Sequence, residues 1–243
     1  MSDFSAKVLI TSNPLNHEGG IVNYYRLFFE HFHSDDIVLE HMSFGSRMED
    51  FYSFRKKVLL YPFYYLYDLL RLVWRLLVDR NIKVVQVSPS LIPVPLLRDA
   101  LIILIAKMCR RRVIVFYRGW KPKVLDSLSR TAALKFLFNL VYGLADKNFV
   151  LASQFKEDLI NLGFSNKSII ITTTMYEPSQ IFPKEMRLGK KPRILFLGRV
   201  SEAKGVGELI KAGKILADSG YDFECCIVGH GDRKGIIESF QRQ

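Results

Sequence analysis

Two cations, Arg199 and Lys204, stand five residues apart in the segment RILFLGRVSEAKGVG, between an apolar run and two glycines, Gly205 and Gly207. Arg193–Leu197 reads as a strand ended by Gly198, and Gly205–Ser219 as a helix. Fixed positive charge at the carboxyl end of a parallel strand, beside the unpaired N–H groups of a helix start, is chemistry suited to a diphosphate. Charge alone favours a solvated basic loop. The order of strand, Gly-Arg, loop and Lys-Gly at a helix start is far more restrictive.

A second candidate is Asn13–Asn23, NPLNHEGGIVN, between the first strand and the first helix. Gly19 and Gly20 permit close backbone approach, and the helix N-terminus beyond them attracts anions. It is not a GxGxxG fingerprint, and taken alone it reads rather as a flexible turn. The five histidines show no metal spacing, and only His230, inside the turn Gly229-His230-Gly231, has a case for function. Cys109, Cys225 and Cys226 lack metal-ligand spacing and are expected to be reduced, buried thiols.

The elements that must position these groups alternate along the chain. Strands are predicted at Lys7–Thr11, Ile37–Glu40, Lys83–Val87, Val113–Phe116, Asn148–Val150 and Ser168–Ile171. Helices are predicted from the Gly-Gly turn to about His31 and over Tyr52–Arg80, Leu91–Cys109, Ser127–Leu144 and Ser153–Leu162. Alternation implies βαβ units around a mostly parallel sheet, and continuous apolar runs such as VVQV and VIVF require burial on both faces. Residues 173–192 have linker chemistry, and a second unit follows with strands Arg193–Leu197 and Phe223–Val228 and helices Gly205–Ser219 and Arg233–Phe240. The expected organisation is an N-terminal Rossmann-like domain at 1–172, a linker at 173–192, and the first half of a second Rossmann-like domain at 193–243.

Hydrophobic residues make up 49% of the 243 and charged residues 24%, enough apolar material for a core and no sign of disorder. The net charge of +11 is concentrated: Phe51–Lys123 holds fifteen Lys/Arg against three acids, and the rest of the chain is nearly neutral. Such a half favours an anionic partner, whether membrane headgroups, a phosphorylated substrate or nucleic acid. Nucleic acid ranks last, because the motifs of known readers are missing. Leu59–Val78, LLYPFYYLYDLLRLVWRLLV, is interrupted by Asp68, Arg71 and Arg75, which share a stripe with Asp79 and leave a broad apolar side. That side either enters a leaflet or covers the sheet, and in a Rossmann-like domain the sheet-covering reading is preferred. No secretory signal is visible in MSDFSAKVLITSNP, so the expected location is the cytoplasm or the inner face of the plasma membrane.

FLGRVSEAKGVGELIKA closely resembles the strand–loop–helix signature of family 4 glycosyltransferases, the group 1 enzymes of the GT-B fold. FECCIVGHGD is similar to the family's next strand and Gly-x-Gly turn, and KVLITSNPLNHEGGIVNYYRLF to its N-terminal strand and glycine loop. LADKNFVLASQFKEDLINLGF resembles the stretch where the acceptor-side domain ends. The resemblance implies that Arg199 and Lys204 bind the donor diphosphate and stabilise the leaving nucleotide, electrostatically. It implies that Gly19 and Gly20 bring N–H groups near the phosphate or sugar, and that Gly229, His230 and Gly231 lie near the nucleotide. It further implies a retaining reaction without bound metal or other cofactor, from a UDP- or GDP-sugar to a cell-envelope polysaccharide or lipid-linked glycan.

Three positions depart from the family pattern. Where many members have a histidine after the fourth strand, this chain reads VFYRGW, placing Tyr117 and Arg118 there. Arg118 either contacts the sugar or acceptor, as a fixed cation that shuttles no proton, or is a surface arginine beside a Gly-Trp turn. TTTMYEPSQ replaces an Asn-Gly turn near the linker, and the distal paired-glutamate motif is expected beyond residue 243. The alternative to a transferase is therefore a truncated, non-catalytic homologue acting as a membrane-associated partner.

Overall fold

The computed structural model describes residues 6–17, 19–44, 54–89, 91, 93–177 and 191–231. The chain divides into two compact units, Met1–Gln180 and Ile181–Gln243.

In the first unit the strands are β1 Ala6–Ser12, β2 Ile37–Ser43, β3 Ile82–Val87, β4 Arg112–Phe116, β5 Lys147–Val150 and β6 Ile169–Ile171. The helices are α1 Gly20–His31, α2 Phe54–Val78, α3 Pro93–Met108, α4 Pro122–Arg130, α5 Ala132–Tyr142 and α6 Ser153–Asn161. The sheet is parallel throughout, in the order β2-β1-β3-β4-β5-β6. Parallel neighbours cannot be joined by a tight turn, so each connection carries a crossover helix. Growth of the sheet reverses at β1, flanked by β2 and β3, which makes the carboxyl ends of β1 and β3 the topological switch point where such sheets place ligands.

The continuous apolar strands are buried on both faces as their sequences require. Val85 and Val87 of β3 and Val113 and Val115 of β4 are fully buried, in one cluster with Leu72 and Leu76 of α2 and Ile102, Ile103 and Ala106 of α3. Each such Val, Leu or Ile side chain contributes about 1.5–3 kcal/mol by leaving water.

Two expectations are corrected here. The helix read over Ser127–Leu144 is two helices, because Thr131 is extended (φ −105°, ψ 106°) and its carbonyl accepts from Lys135 N at 2.9 Å to start α5. A β-branched residue tolerates that conformation well. The second correction concerns α2, whose main apolar side does not cover the sheet. Its charged stripe turns inward: Arg71 donates to Ser43 O at 2.8 Å, Arg75 pairs with Glu40, and Lys7 donates to Asp79 at 2.7 Å just past the helix. Asp68 is fully buried. Partners on β1 and β2 draw the charges in, while Phe63, Leu66, Tyr67, Leu70, Trp74, Leu77 and Val78 stay exposed.

The second unit contains β7 Arg193–Leu197, a 3-10 turn at Glu202–Lys204, α7 Val206–Asp218 and β8 Glu224–Val228. β7 and β8 are parallel, from Arg193 opposite Glu224 to Leu197 opposite Val228. Cys225 and Cys226 are exposed, not buried, on a strand whose residues are mostly exposed; Cys109 is partly buried. The helix expected at Arg233–Phe240, and most of the expected linker, lie outside the described residues.

Candidate functional site

The basic loop begins where β7 stops. Gly198 N donates to Val228 O at 3.0 Å and Val200 N to His230 O at 2.9 Å, and Val200 bridges Gly231, so pairing continues beyond both strands. The approach is too close for a side chain on the second segment. A Cβ on Gly229 would lie inside the contact radius of Gly198 O and 2.8 Å from its carbonyl carbon. Backbone complementarity thus holds Arg199 against the Gly229-His230-Gly231 turn.

From Val200 the chain enters the 3-10 turn, where Lys204 N donates to Ser201 O at 3.0 Å and Gly205 N to Glu202 O at 2.9 Å. Gly205 adopts φ 81°, a left-handed conformation that glycine takes without the strain of a Cβ, and it turns the chain directly into α7. The N–H groups of the first turn of α7 have no intrahelical acceptor and carry the positive end of the helix dipole. Arg199 and Lys204 are exposed and make no ion pair or side-chain hydrogen bond among the described residues. Glu202 and Glu208 are the acids of the same turn and helix start, and they temper its positive field.

In the first unit, Gly19 caps α1 and Gly20 opens it, both exposed, and a Cβ on either would meet nothing within 4 Å. The loop ahead of them is clamped by Arg26, which donates to Leu15 O at 2.7 Å and His17 O at 2.8 Å. One turn into α1, Tyr25 is fully buried. Its hydroxyl bonds to Ser88 Oγ and accepts from Gln86 Nε2 at 2.9 Å, tying α1 to the end of β3 at the switch point. Burial raises the Tyr25 phenol above its usual range, against these hydrogen bonds.

Arg118 follows β4 and is not a plain surface arginine. Its guanidinium lies 3.5 Å from the Tyr24 ring centroid and 4.8 Å from that of Phe116, a cation–π stack. Nη1 is buried with no hydrogen-bond partner, and Arg118 makes no ion pair among the described residues. Burial lowers the guanidinium from its usual value, opposed by the neighbouring tyrosines. A half-buried cation with open donor capacity, on a rigid aromatic base, is poised to take an anionic or hydroxyl-rich partner. Tyr117 instead points into the core, with its hydroxyl unpaired and its phenol held well above the usual value by burial.

Sequence reasoning missed Tyr24, Tyr25, Gln86 and Ser88. The only trace was NYY directly after the glycine loop. It also missed His41, half-buried and lowered by burial, which lies 2.9 Å from Ser12 Oγ at the end of β1. His31 pairs with Glu177 at 2.8 Å on the surface. Among the described residues no cluster of three or more His, Cys, Asp or Glu side chains could hold a metal.

Residues 142–241 match the family model described as "Glycosyl transferases group 1". No curated protein matches the chain significantly. Solved structures of similar fold include the apo form of the lipopolysaccharide outer core galactosyltransferase WaaB, at 14% identity and TM-score 0.57, covering 98% of this chain and 64% of that one. HepE of Anabaena, solved with UDP and glucose, aligns at 11% identity and TM-score 0.59 over 98% of this chain and 65% of that one. The same protein solved with UDP-glucose aligns at 11% identity and TM-score 0.57 over 97% and 64%. The chain therefore spans slightly less than two thirds of the length of these structures, and its fold is the α/β, Rossmann-like GT-B type.

Proposed function

We propose that the chain acts in glycosyl transfer, with a family 4 type donor site built on Arg199 and Lys204. The observation that carries this reading is the loop itself: two cations without acidic partners among the described residues, one held by strand pairing against a glycine turn and the other delivered by a 3-10 turn to a helix N-terminus. In transfer, the bond from the anomeric carbon to the donor diphosphate breaks and its electron pair stays on the diphosphate oxygen. The acceptor hydroxyl forms the new bond and releases its proton. Arg199 and Lys204 would stabilise the charge that develops on the leaving diphosphate, where fixed charge acts most strongly. His230 and its flanking glycines would border the nucleotide, with Gly19 and Gly20 offering N–H groups to phosphate or sugar.

Arg118 would hold the sugar or the acceptor, and the absence of an ion-pair partner for it among the described residues favours an acceptor that brings a negative charge. UDP in the HepE structure supports a nucleotide-sugar donor. The resemblance of the Arg199–Gly207 segment to family 4 glycosyltransferases extends the reading to a UDP- or GDP-sugar transferred with retention and without metal or other cofactor. A cell-envelope polysaccharide or lipid-linked glycan acceptor, met at the cytoplasmic side of a membrane, completes the reading. Incubation with UDP- and GDP-sugars should release nucleoside diphosphate, faster when a lipid-linked glycan acceptor is present. Neither release nor binding with any donor of the panel would refute it.

A further inference from the structure

The α2 face that points away from the sheet is an unusual surface. Phe63, Leu66, Tyr67, Leu70, Trp74, Leu77 and Val78 fall at spacings of three and four, one row along the helix. Each exposes more than half of its surface, from 53% for Tyr67 to 71% for Phe63. From Phe63 to Val78 the row runs about 22 Å at the usual helical rise. Leu97 and Met108 on α3, the neighbouring helix, are exposed at 68% and 82%. Apolar rows of this size on a soluble surface mark an interaction site.

The charges around the row select its occupant. All three acids between Phe51 and Lys123 are withdrawn from it: Asp68 is buried, Asp99 is buried against Arg98 at 2.7 Å, and Asp79 is bonded to Lys7. Arg80, Lys83, Arg110 and Arg112 are exposed and make no ion pair among the described residues. They cluster at the C-terminal end of the row. Arg111 donates to Leu76 O at 2.7 Å and so fixes the Arg110–Arg112 triplet beside the last turn of α2, while Val84, next to Lys83, pairs with Arg112 across β3 and β4. The first turn of the same helix carries Arg55, Lys56 and Lys57. Among the described residues no helix is long and apolar enough to cross a membrane.

We infer that α2 is an interfacial helix, which seats its Phe63–Val78 row in the acyl boundary of an anionic leaflet while Arg80, Lys83, Arg110 and Arg112 meet the headgroups. An aromatic and aliphatic row with a cationic border, its neighbouring acids buried or paired as Asp79 is with Lys7 and Asp146 with Lys107, has the character of a helix lying in the membrane plane. This inference specifies the surface behind the membrane association proposed above and needs no donor chemistry, so it is tested without a nucleotide.

The full chain is co-sedimented with vesicles of phosphatidylcholine alone or mixed with phosphatidylglycerol, while Trp emission is followed. Strong binding to the anionic vesicles is expected, with a blue shift that disappears in Trp74→Phe although binding remains. The pair Leu70→Glu/Trp74→Glu should abolish binding, and Arg110→Gln/Arg112→Gln should weaken it about 25-fold, since each cation near such a surface is worth about fivefold. Both pairs lie on the surface, and far-UV circular dichroism will confirm that they fold. No binding, or equal binding to both vesicle types, overturns the inference. So does self-association that Leu70→Glu/Trp74→Glu removes in the absence of vesicle binding, which would assign the row to a second copy of the chain.

Discussion

Replacing Gly229 by alanine puts one methyl group where the structure has no room. Its Cβ would stand 2.8 Å from the carbonyl carbon of Gly198 and closer still to the oxygen, whereas carbon atoms in contact prefer about 3.5 Å. The two segments must part, and the flanking bonds Gly198 N to Val228 O (3.0 Å) and Val200 N to His230 O (2.9 Å) stretch with them. Loss of both costs about 2 kcal/mol at a net 1 kcal/mol each. A non-glycine residue at φ 152° adds about 1 kcal/mol or more of strain. The total of about 3 kcal/mol corresponds to roughly 100-fold faster opening. Gly207 makes the control, since it lies inside α7 with nothing within 4 Å of its Cβ. Gly207→Ala should stabilise by about 0.5–1 kcal/mol through helix propensity. Native-state hydrogen exchange over residues 193–231 reads both, because both tryptophans lie in the other unit. Equal protection in the two variants would refute the close-approach argument.

Tyr25→Phe should destabilise the first unit by about 1–3 kcal/mol in urea unfolding, because it leaves Gln86 and Ser88 buried with fewer partners. Arg118→Met preserves bulk over Tyr24 but removes the charge. It should slow sugar transfer while leaving nucleotide affinity unchanged, and Arg118→Lys should not restore the rate, because an ammonium cannot reproduce the planar stack. Asp79 is held below its ordinary 3.8 chiefly by its hydrogen bond to Lys7. A carboxylate with a depressed folded value gives stability that is full above the unfolded value and fades as pH falls through the folded one. Thermal unfolding measured from pH 6 downward should therefore lose less stability in Asp79→Asn than in the wild type as pH passes below about 3.8.

The strands were legible because burial on both faces leaves a direct record: VVQV and VIVF are apolar without interruption, and β3 and β4 lie where those runs lie. The strand–loop–helix of the second unit was legible for a related reason, since Gly198, Gly205 and Gly229 mark backbone conditions that few other residues meet. The direction α2 faces was not legible. Its helical wheel shows a charged stripe and an apolar side, and chemistry alone assigns the apolar side to the core. What decides the matter is non-local: Glu40, Lys7 and Ser43 O arrive from β1 and β2 and draw the charged stripe inward. The Arg118–Tyr24 stack is hidden for the same reason, joining the end of β4 to α1 across ninety-odd residues of chain. The break at Thr131 escaped because AALKFLFNLVY and the preceding turn share one helical periodicity, and a single extended residue leaves no gap in it.

Whether Arg199 and Lys204 form a diphosphate cradle is decided by calorimetric titration of the full chain with UDP and GDP, each beside its monophosphate. One diphosphate is expected to bind more tightly than its monophosphate. Arg199→Ala and Lys204→Ala should each weaken that binding about 10- to 100-fold, the worth of one charge-assisted hydrogen bond, without changing the unfolding temperature. Equal affinity for UDP and UMP, and for GDP and GMP, or variants that bind as the wild type does, would contradict it.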